Sequence, residues 1–291
     1  MSNGFVVIDK EGGMTSHDVV AKMRKVLGTK RVGHAGTLDP MATGVLVLGV
    51  GNATKLLQYI VDGAKRYEAT IQLGTSTLSD DREGEILQVR DCLHITDVEI
   101  HEGLARYVGK IQQRPSSVSA IKVDGKRAHE RVRDGEVVEL PAREVEITAI
   151  TVCEIRRTTH IEIDIVVDCG AGTYIRAIAR DVGEVLSVGG HLTSLRRTLV
   201  SPFDVSEAVK IGDFTPEMVV PTLAGIAKIL PVRELTFDEM AEISFGCALA
   251  PNGAAGLFAA ASPSGTFAAL LENREVSGKN HAHPTLVAVK E

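Results

Sequence analysis

The chain has 291 residues, 44% hydrophobic and 24% charged, with a formal net charge of −6. That length suits one large domain or a large and a small one, and the composition is ordinary for a soluble protein. No apolar run approaches the roughly 18 residues of a membrane helix, and mild acidity does not by itself mark a nucleic-acid binder.

Phe5 to Ile8 reads as a short strand, and Asp9-Lys10-Glu11-Gly12-Gly13 as a turn. Thr15 or Ser16 caps a helix to about Leu27, with Val19, Val20, Met23 and Val26 as its apolar stripe. Arg24 and Lys25 stand in its last turn, where the helix dipole favours cations. The segment from Arg31 to Gly44 is a polar loop in which Gly33, Gly36 and Gly44 permit unusual backbone. Its one acid, Asp39, precedes Pro40 and is biased to extended geometry. Val45 to Val50 is an apolar run suited to a strand buried on both faces. A helix opens near Ala53, capped by Asn52 or Thr54.

Tyr67 to Leu73 alternates as a half-buried strand, and Gly74 to Glu85 is a polar loop. Thr96 and Glu99 form a capping box for a helix to about Val108. Ile121 to Arg127 holds an Asp-Gly turn and reads as a hairpin or a strand-turn-helix. Arg143 to Ile155 and Ile161 to Asp168 are alternating strands. Gly170 to Arg176 opens a helix to about Leu186, and Leu192 to Val200 follows with Arg196-Arg197. Ser201 to Pro231 reads as connecting structure with short helical patterns. A small unit then begins near Val232, with a helix Thr236 to Ser244 and strands near 256–260, 267–271 and 286–289.

Residues 201–291 hold 6 bases and 11 acids, a balance of −5, which leaves −1 for residues 1–200. Lys22 to Arg31 has five bases and no acid, and Lys122 to Arg133 five bases against Asp124 and Glu130. Either cluster is a phosphate-contacting patch or an ordinary solvated face. Met1 to Lys10 shows no signal-type leader. Cys92, Cys153, Cys169 and Cys247 are far apart without a C-x-x-C pair. A reducing, cytoplasmic setting is expected.

No dinucleotide or P-loop fingerprint is present. Gly170-x-Gly172 before a helix is either a phosphate cradle or a tight strand-to-helix turn. His281 and His283 share a strand face without an evident third ligand, so no metal is expected. A hydrolase using His34 and Asp39 lacks ligand spacing. What remains is Asp39, with Arg176 and Tyr67 as candidate partners. A lone carboxylate is a nucleophile when a cation holds it ionised and aimed. Equally, Asp39 caps a turn with its side chain. Tyr67 and Tyr174 each offer a flat ring for stacking on a base, or simply sit at the rim of the core.

Gly33-His-Ala-Gly-Thr-Leu-Asp-Pro-Met-Ala-Thr-Gly44 closely resembles the catalytic motif of the TruB-type tRNA pseudouridine-55 synthases. So do Val7 to Lys10, Gly13 to Ser16, Lys65 to Tyr67, Pro115 to Lys122, Gly172 to Arg176 and Gly190 to Arg197. These blocks cover residues 5 to about 200 in family order.

The resemblance implies an α+β fold: a mixed-sheet pseudouridine synthase catalytic domain over 1–232 and a small β-rich, PUA-like domain over 233–291. It implies a monomeric cytoplasmic isomerase without metal or cofactor, acting on the T-arm stem-loop of tRNA. By motif position Asp39 is the catalytic residue, Arg176 its ion-pair partner and Tyr67 the ring on the target base. Tyr174 and Leu195 are further pocket residues, and His34 fills the space left by the flipped base. Two departures stand out: Glu11 where the family usually has proline, and His129 where it commonly has tyrosine. The rival expectation is a non-catalytic RNA-binding or tRNA-folding module on the same scaffold.

Overall fold

The computed structural model describes residues 3–118, 122–123, 126–127, 140–253, 255–276 and 278–288, with backbone only at 122–123, 126–127 and 276. In chain order the first strands are β1 (Gly4–Lys10), β2 (Val32–Ala35), β3 (Thr43–Val50), β4 (Lys65–Leu73), β5 (Thr75–Thr77), β6 (Ile86–Val89) and β7 (Gly109–Gln113). Then come β8 (Lys122–Val123), β9 (Lys126–Arg127), β10 (Arg143–Arg157), β11 (Ile161–Cys169), β12 (Gly190–Val200), β13 (Phe203–Asp204) and β14 (Val220–Pro221). A separate sheet is built from β15 (Val232–Glu234), β16 (Leu257–Ala261), β17 (Phe267–Val276) and β18 (Lys279–Val287).

The large sheet runs β14-β1-β3-β12-β4-β11-β10-β7, with β2 paired to β3 and β13 to β12. It is mixed, because β12 runs parallel to β3 and antiparallel to β4. Its pairings align Lys10 with Gly44, Gly44 with Arg197, Arg197 with Tyr67, and Tyr67 with Val167. One row of the sheet therefore carries Lys10, Arg197 and Tyr67.

The continuous apolar run of β3 is explained by burial on both faces. Leu46 and Leu48 enter one core with Val6, Ile8, Met23, Ile71 and Ile178, whereas Val45 and Val47 enter another with Phe5, Leu56 and Phe203. Burying each such side chain stabilises the fold by roughly 1.5–3 kcal/mol, so a shift of β3 by one residue would exchange the two sets against the wrong neighbours.

The first helix is Ser16–Leu27. Thr15 caps it reciprocally: its hydroxyl accepts from Asp18 N, and the Asp18 carboxylate accepts from Thr15 N. Gly28 closes it at φ 62°. Val19, Val20 and Met23 are buried as expected, but Val26 points to solvent at 45% exposure. The next expected helix is instead a 3-10 turn, Gly51–Leu56, followed by the short helix Gln58–Val61. Neither Asn52 nor Thr54 caps it: the Thr54 hydroxyl donates back to the Gly51 carbonyl. Gly49 lets this turn fold against β3, since a Cβ there would lie 2.9 Å from the Ala53 carbonyl oxygen.

The Thr96 capping box is present, and its helix ends at Ala105, short of Val108. The segment expected to be a polar loop from Gly74 contains β5, paired with β6, and tucks Asp80 and Asp81 into the protein. Gly172 at φ 82° makes the tight strand-to-helix turn before the helix Ile175–Val185. The connecting region after Ser201 contributes β13 and β14 to the large sheet. The hairpin alternative holds at β8 and β9, which pair antiparallel, while His129 and the rest of the basic cluster to Arg133 lie outside the described residues.

In the C-terminal sheet, Phe258, Ala260 and Leu271 pack with Leu235 and Ile243 in a local core, whereas Ala259 and Leu270 join the core of Phe5 and Ile226. The small sheet thus packs on the larger body through one face and carries its own helix, Phe237–Ser244, on the other. Its last strand begins at Lys279, well before the expected 286. The four cysteines are free thiols, Cys92 and Cys169 buried, Cys153 and Cys247 exposed. Among the described residues, no helix is long and apolar enough to cross a membrane.

Candidate active site

Asp39 lies in the loop between β2 and β3, and the carbonyls of this loop are held one after another. Arg197 donates from Nη2 to Gly36 O at 3.1 Å, from Nη1 to Thr37 O at 3.4 Å, and from Nε to Val45 O at 2.8 Å. The buried Ser16 hydroxyl donates to Leu38 O and accepts from Leu38 N. Lys10 Nζ donates to Pro40 O at 3.1 Å, and so does Gly13 N at 2.9 Å. Asp39 closes the turn with its carbonyl, which accepts from Ala42 N. Its carboxylate does not serve the turn and is turned toward Arg176.

Arg176 stands in the first turn of the helix Ile175–Val185 with its side chain only 5% exposed. Its Nη2 donates to Asp39 Oδ1 at 3.1 Å, and its Nε lies 2.9 Å from Asp39 Oδ2. Nη1, on the side away from Asp39, lies 3.3 Å from Asp81 Oδ2 and donates to Ser79 O, while Nη2 donates to Val118 O as well as to Asp39. Asp81 is itself fixed by the Ser79 hydroxyl and Glu83 N. A buried arginine needs its donors filled. Here Ser79 O, Val118 O and Asp39 Oδ1 accept from the two terminal nitrogens, while Nε faces Asp39 Oδ2 as an ion pair without a hydrogen bond, and the Asp39 side chain stays 33% exposed and open to a ligand.

Tyr67 is buried beside Arg197 in the sheet row, and Leu195 lies on the same face two residues before Arg197, aligned with Ala69. Burial holds the Tyr67 hydroxyl above the ordinary tyrosine range, with the nearby Arg197 cation opposing. Tyr67 therefore presents a neutral hydroxyl at neutral pH rather than a resting phenolate. His34, on β2, meets His17 edge to face with ring centroids 5.5 Å apart. Burial, with His17 and Arg197 adding to it, lowers its pKa, so it is neutral at pH 7. Tyr174 precedes the helix and is half-buried, its backbone N–H and C=O both bonded to the Gln113 side-chain amide.

The sequence did not single out Lys10, Arg197, Ser79 or Asp81, all of which are buried here. Lys10 is fully covered, and burial pushes its pKa down to about 8 against the pull of the Asp39 charge. A cue existed for Lys10 and Arg197: both stand on apolar strands, where a charged side chain needs a buried acceptor. Glu11 is exposed and lends only its carbonyl, to Lys10. No group of three or more His, Cys, Asp or Glu able to hold a metal occurs among the described residues, including His281 and His283.

The family model of the TruB pseudouridylate synthase N-terminal domain matches residues 24–175, which include Asp39 and Tyr67. The chain belongs to the TruB family. Two further models match beyond it, the tRNA pseudouridylate synthase B C-terminal domain over 176–223 and the tRNA pseudouridine synthase II C-terminal region over 230–282. A tRNA pseudouridine synthase B of Corynebacterium efficiens is 49% identical over 276 residues, 94% of this chain and 93% of its own length. One of Thermobifida fusca is 48% identical over 285 residues, 96% and 97% of the two chains. A solved H/ACA RNP bound to a substrate RNA containing 2'-deoxyuridine has a chain that superposes with TM-score 0.72 at 22% identity, covering 99% of this chain and 85% of that one. A Cbf5-Nop10-Gar1 complex gives 0.71 at 25% identity, covering 99% and 84%. This TruB-family protein is therefore a pseudouridine synthase, an isomerase, on an α+β mixed-sheet fold with a β-rich C-terminal part.

Proposed function

We propose that this enzyme converts uridine-55 in the T loop of tRNA to pseudouridine, with Asp39 as its catalytic carboxylate. The ion pair of Asp39 with the buried Arg176 carries the reading: an accessible carboxylate is held ionised and aimed by a cation that Ser79 O and Val118 O hold in place. The relatives named tRNA pseudouridine synthase B support tRNA as the substrate.

The target base leaves its stack at a cost of a few kcal/mol, which a shaped pocket must offset. Tyr67 and Leu195 form the wall that receives it. Asp39 assists breakage of the N1–C1′ bond, the base turns, and C5 bonds to C1′. C5 then loses its proton and N1 gains one, so the reaction is redox-neutral and needs no co-reactant. The neutral Tyr67 hydroxyl lies on the path of that proton. His34 occupies the gap the base leaves, and Tyr174 borders the pocket.

The T-arm backbone follows the exposed Lys22, Lys25, Lys30 and Arg31, next to a surface groove lined by Gly12, Gly13, Met14, Asp18, Lys22 and Lys25. The protein works as a monomer, with residues 1–232 as catalytic domain and 233–291 as a smaller accessory domain.

The test is tritium release from tRNA carrying uridine tritiated at C5. Asp39→Asn keeps the shape and removes the charge, so turnover should fall by several orders of magnitude with tRNA binding retained; a rate within about tenfold of wild type would refute the reading.

A further inference from the structure

Behind Arg176 stands a second ion pair that the proposed chemistry does not use. Arg180 lies one helical turn beyond Arg176, on the same helix face. Its Nη1 meets Asp80 Oδ2 at 3.1 Å, its Nη2 donates to Arg114 O at 2.8 Å, and its Nε donates to Asp181 at 2.8 Å. Asp80 is 7% exposed and is the immediate neighbour of Asp81, which contacts Arg176.

Adjacent residues of an extended chain point to opposite sides. Asp80 and Asp81 nonetheless both reach this one helix, because Asp80 adopts φ 59°, a left-handed conformation that few L side chains take. The loop is further tied to β12: Leu192 N donates to Asp80 O, and Arg82 N donates to Leu192 O. The two arginines also grip a second segment, Arg180 at Arg114 O and Arg176 at Val118 O.

We infer that the Asp80–Arg180 pair positions the catalytic ion pair. It fixes the loop so that Ser79 O and the Asp81 carboxylate meet the back of the Arg176 guanidinium. The Nε and Nη2 edge of that guanidinium is then turned to the Asp39 carboxylate. Asp80 and Arg180 are positioning residues and touch no substrate. The inference rests on the reading of Asp39 given above.

Three full-length variants test it. Asp80→Asn tolerates the left-handed backbone and loses the charge. Asp80→Gly frees the backbone and also loses the charge. Arg180→Gln removes the pair from the helix side. Single-turnover rate, tRNA affinity and thermal midpoint are measured for each, beside Asp39→Asn.

The expected result is a rate loss of about tenfold to a hundredfold in all three, with tRNA affinity within about twofold of wild type. The double variant Asp80→Asn/Arg180→Gln should be no slower than the slower single one. Wild-type rates in Asp80→Asn and Arg180→Gln would overturn the inference. So would activity in Asp80→Gly but not in Asp80→Asn, which would make backbone shape the cause. Parallel loss of rate, affinity and thermal midpoint would reduce the pair to general support and also overturn it. Should Asp39→Asn remain active, the reading of Asp39 fails; should Asp39→Asn be inactive and the Asp80 and Arg180 variants normal, only this inference fails.

Discussion

Asp39 and Arg176 are 137 residues apart in the chain, yet Arg176 Nη2 donates to Asp39 Oδ1 at 3.1 Å while the other edge of the same guanidinium holds Ser79 O and Asp81. The arginine is a fixed part of the protein rather than a mobile side chain. Its role is geometric as well as electrostatic.

Arg176→Lys keeps the charge and loses the planar fork that serves Asp39, Ser79 O and Val118 O together. A rate loss of at least about a hundredfold is expected with tRNA affinity nearly intact. Single-turnover kinetics against a binding titration checks this, and a rate loss matched by an equal affinity loss would contradict it.

Tyr67→Phe keeps the ring in its buried slot and removes the hydroxyl. The expected result is normal tRNA binding with turnover stalled after the base has been detached, seen as a trapped intermediate in quench-flow. Tyr67→Leu should in addition weaken binding by roughly 1–3 kcal/mol through lost stacking. Full activity in Tyr67→Leu would reassign Tyr67 as an ordinary core residue.

Lys10 gives opposite pH dependences to activity and stability. Its folded pKa is lowered to about 8, below that of the unfolded chain. A depressed pKa contributes stability at high pH that is lost as pH falls through the folded value, so raising pH from about 8 toward the unfolded pKa should stabilise the fold. The same deprotonation removes the cation beneath Pro40 O, so the reaction rate should fall with a midpoint near pH 8. Denaturation and single-turnover rates from pH 7 to 9, for wild type and Lys10→Met, check both, and an identical alkaline limb in Lys10→Met would exclude Lys10 as its source.

Neutralising Lys25, Lys30 and Arg31 together should flatten the dependence of log affinity on log salt by up to about three phosphate contacts. Binding titrations across salt concentrations measure it. An unchanged slope would move the RNA contacts elsewhere.

In most helices Gly→Ala adds stability. Gly183→Ala should do the reverse, because a Cβ there would lie 2.2 Å from backbone atoms of Gly189 and Gly190. A loss of about 1–3 kcal/mol is expected in urea denaturation, since backbone rather than a flexible side chain would have to move. A gain would show that the helix end can slide away from β12.

Local chemistry was legible wherever a single segment decides the outcome. The two-faced burial of β3, the Thr96 capping box and the turn at Gly172 are each written in adjacent residues. The helix expected after Asn52 gives way to a 3-10 turn because Gly49 allows the chain to close against the strand before it, a tertiary contact that propensity does not carry. The segment after Gly74 has the composition of a polar loop, and the burial of Asp80 and Asp81 does not show in it. Their partners, Arg180 and Arg176, lie about a hundred residues away, and nothing local records the pairing. Lys10 and Arg197 carry no local mark for the same reason, since what they hold are carbonyls, which every residue has.

The position of β12 has a consequence for synthesis on the ribosome. It lies between β3 and β4, so before residues 190–200 emerge the large sheet exists only as two separate parts, one carrying the Asp39 loop and the other Tyr67. Arg197 is the residue of β12 that lines up with both Gly44 and Tyr67. An N-terminal nascent chain can fold either part, since domains begin to form as they are made, yet it cannot bring the two halves of the pocket together. Only a chain synthesised beyond β12 holds the strand that joins the Asp39 loop to Tyr67.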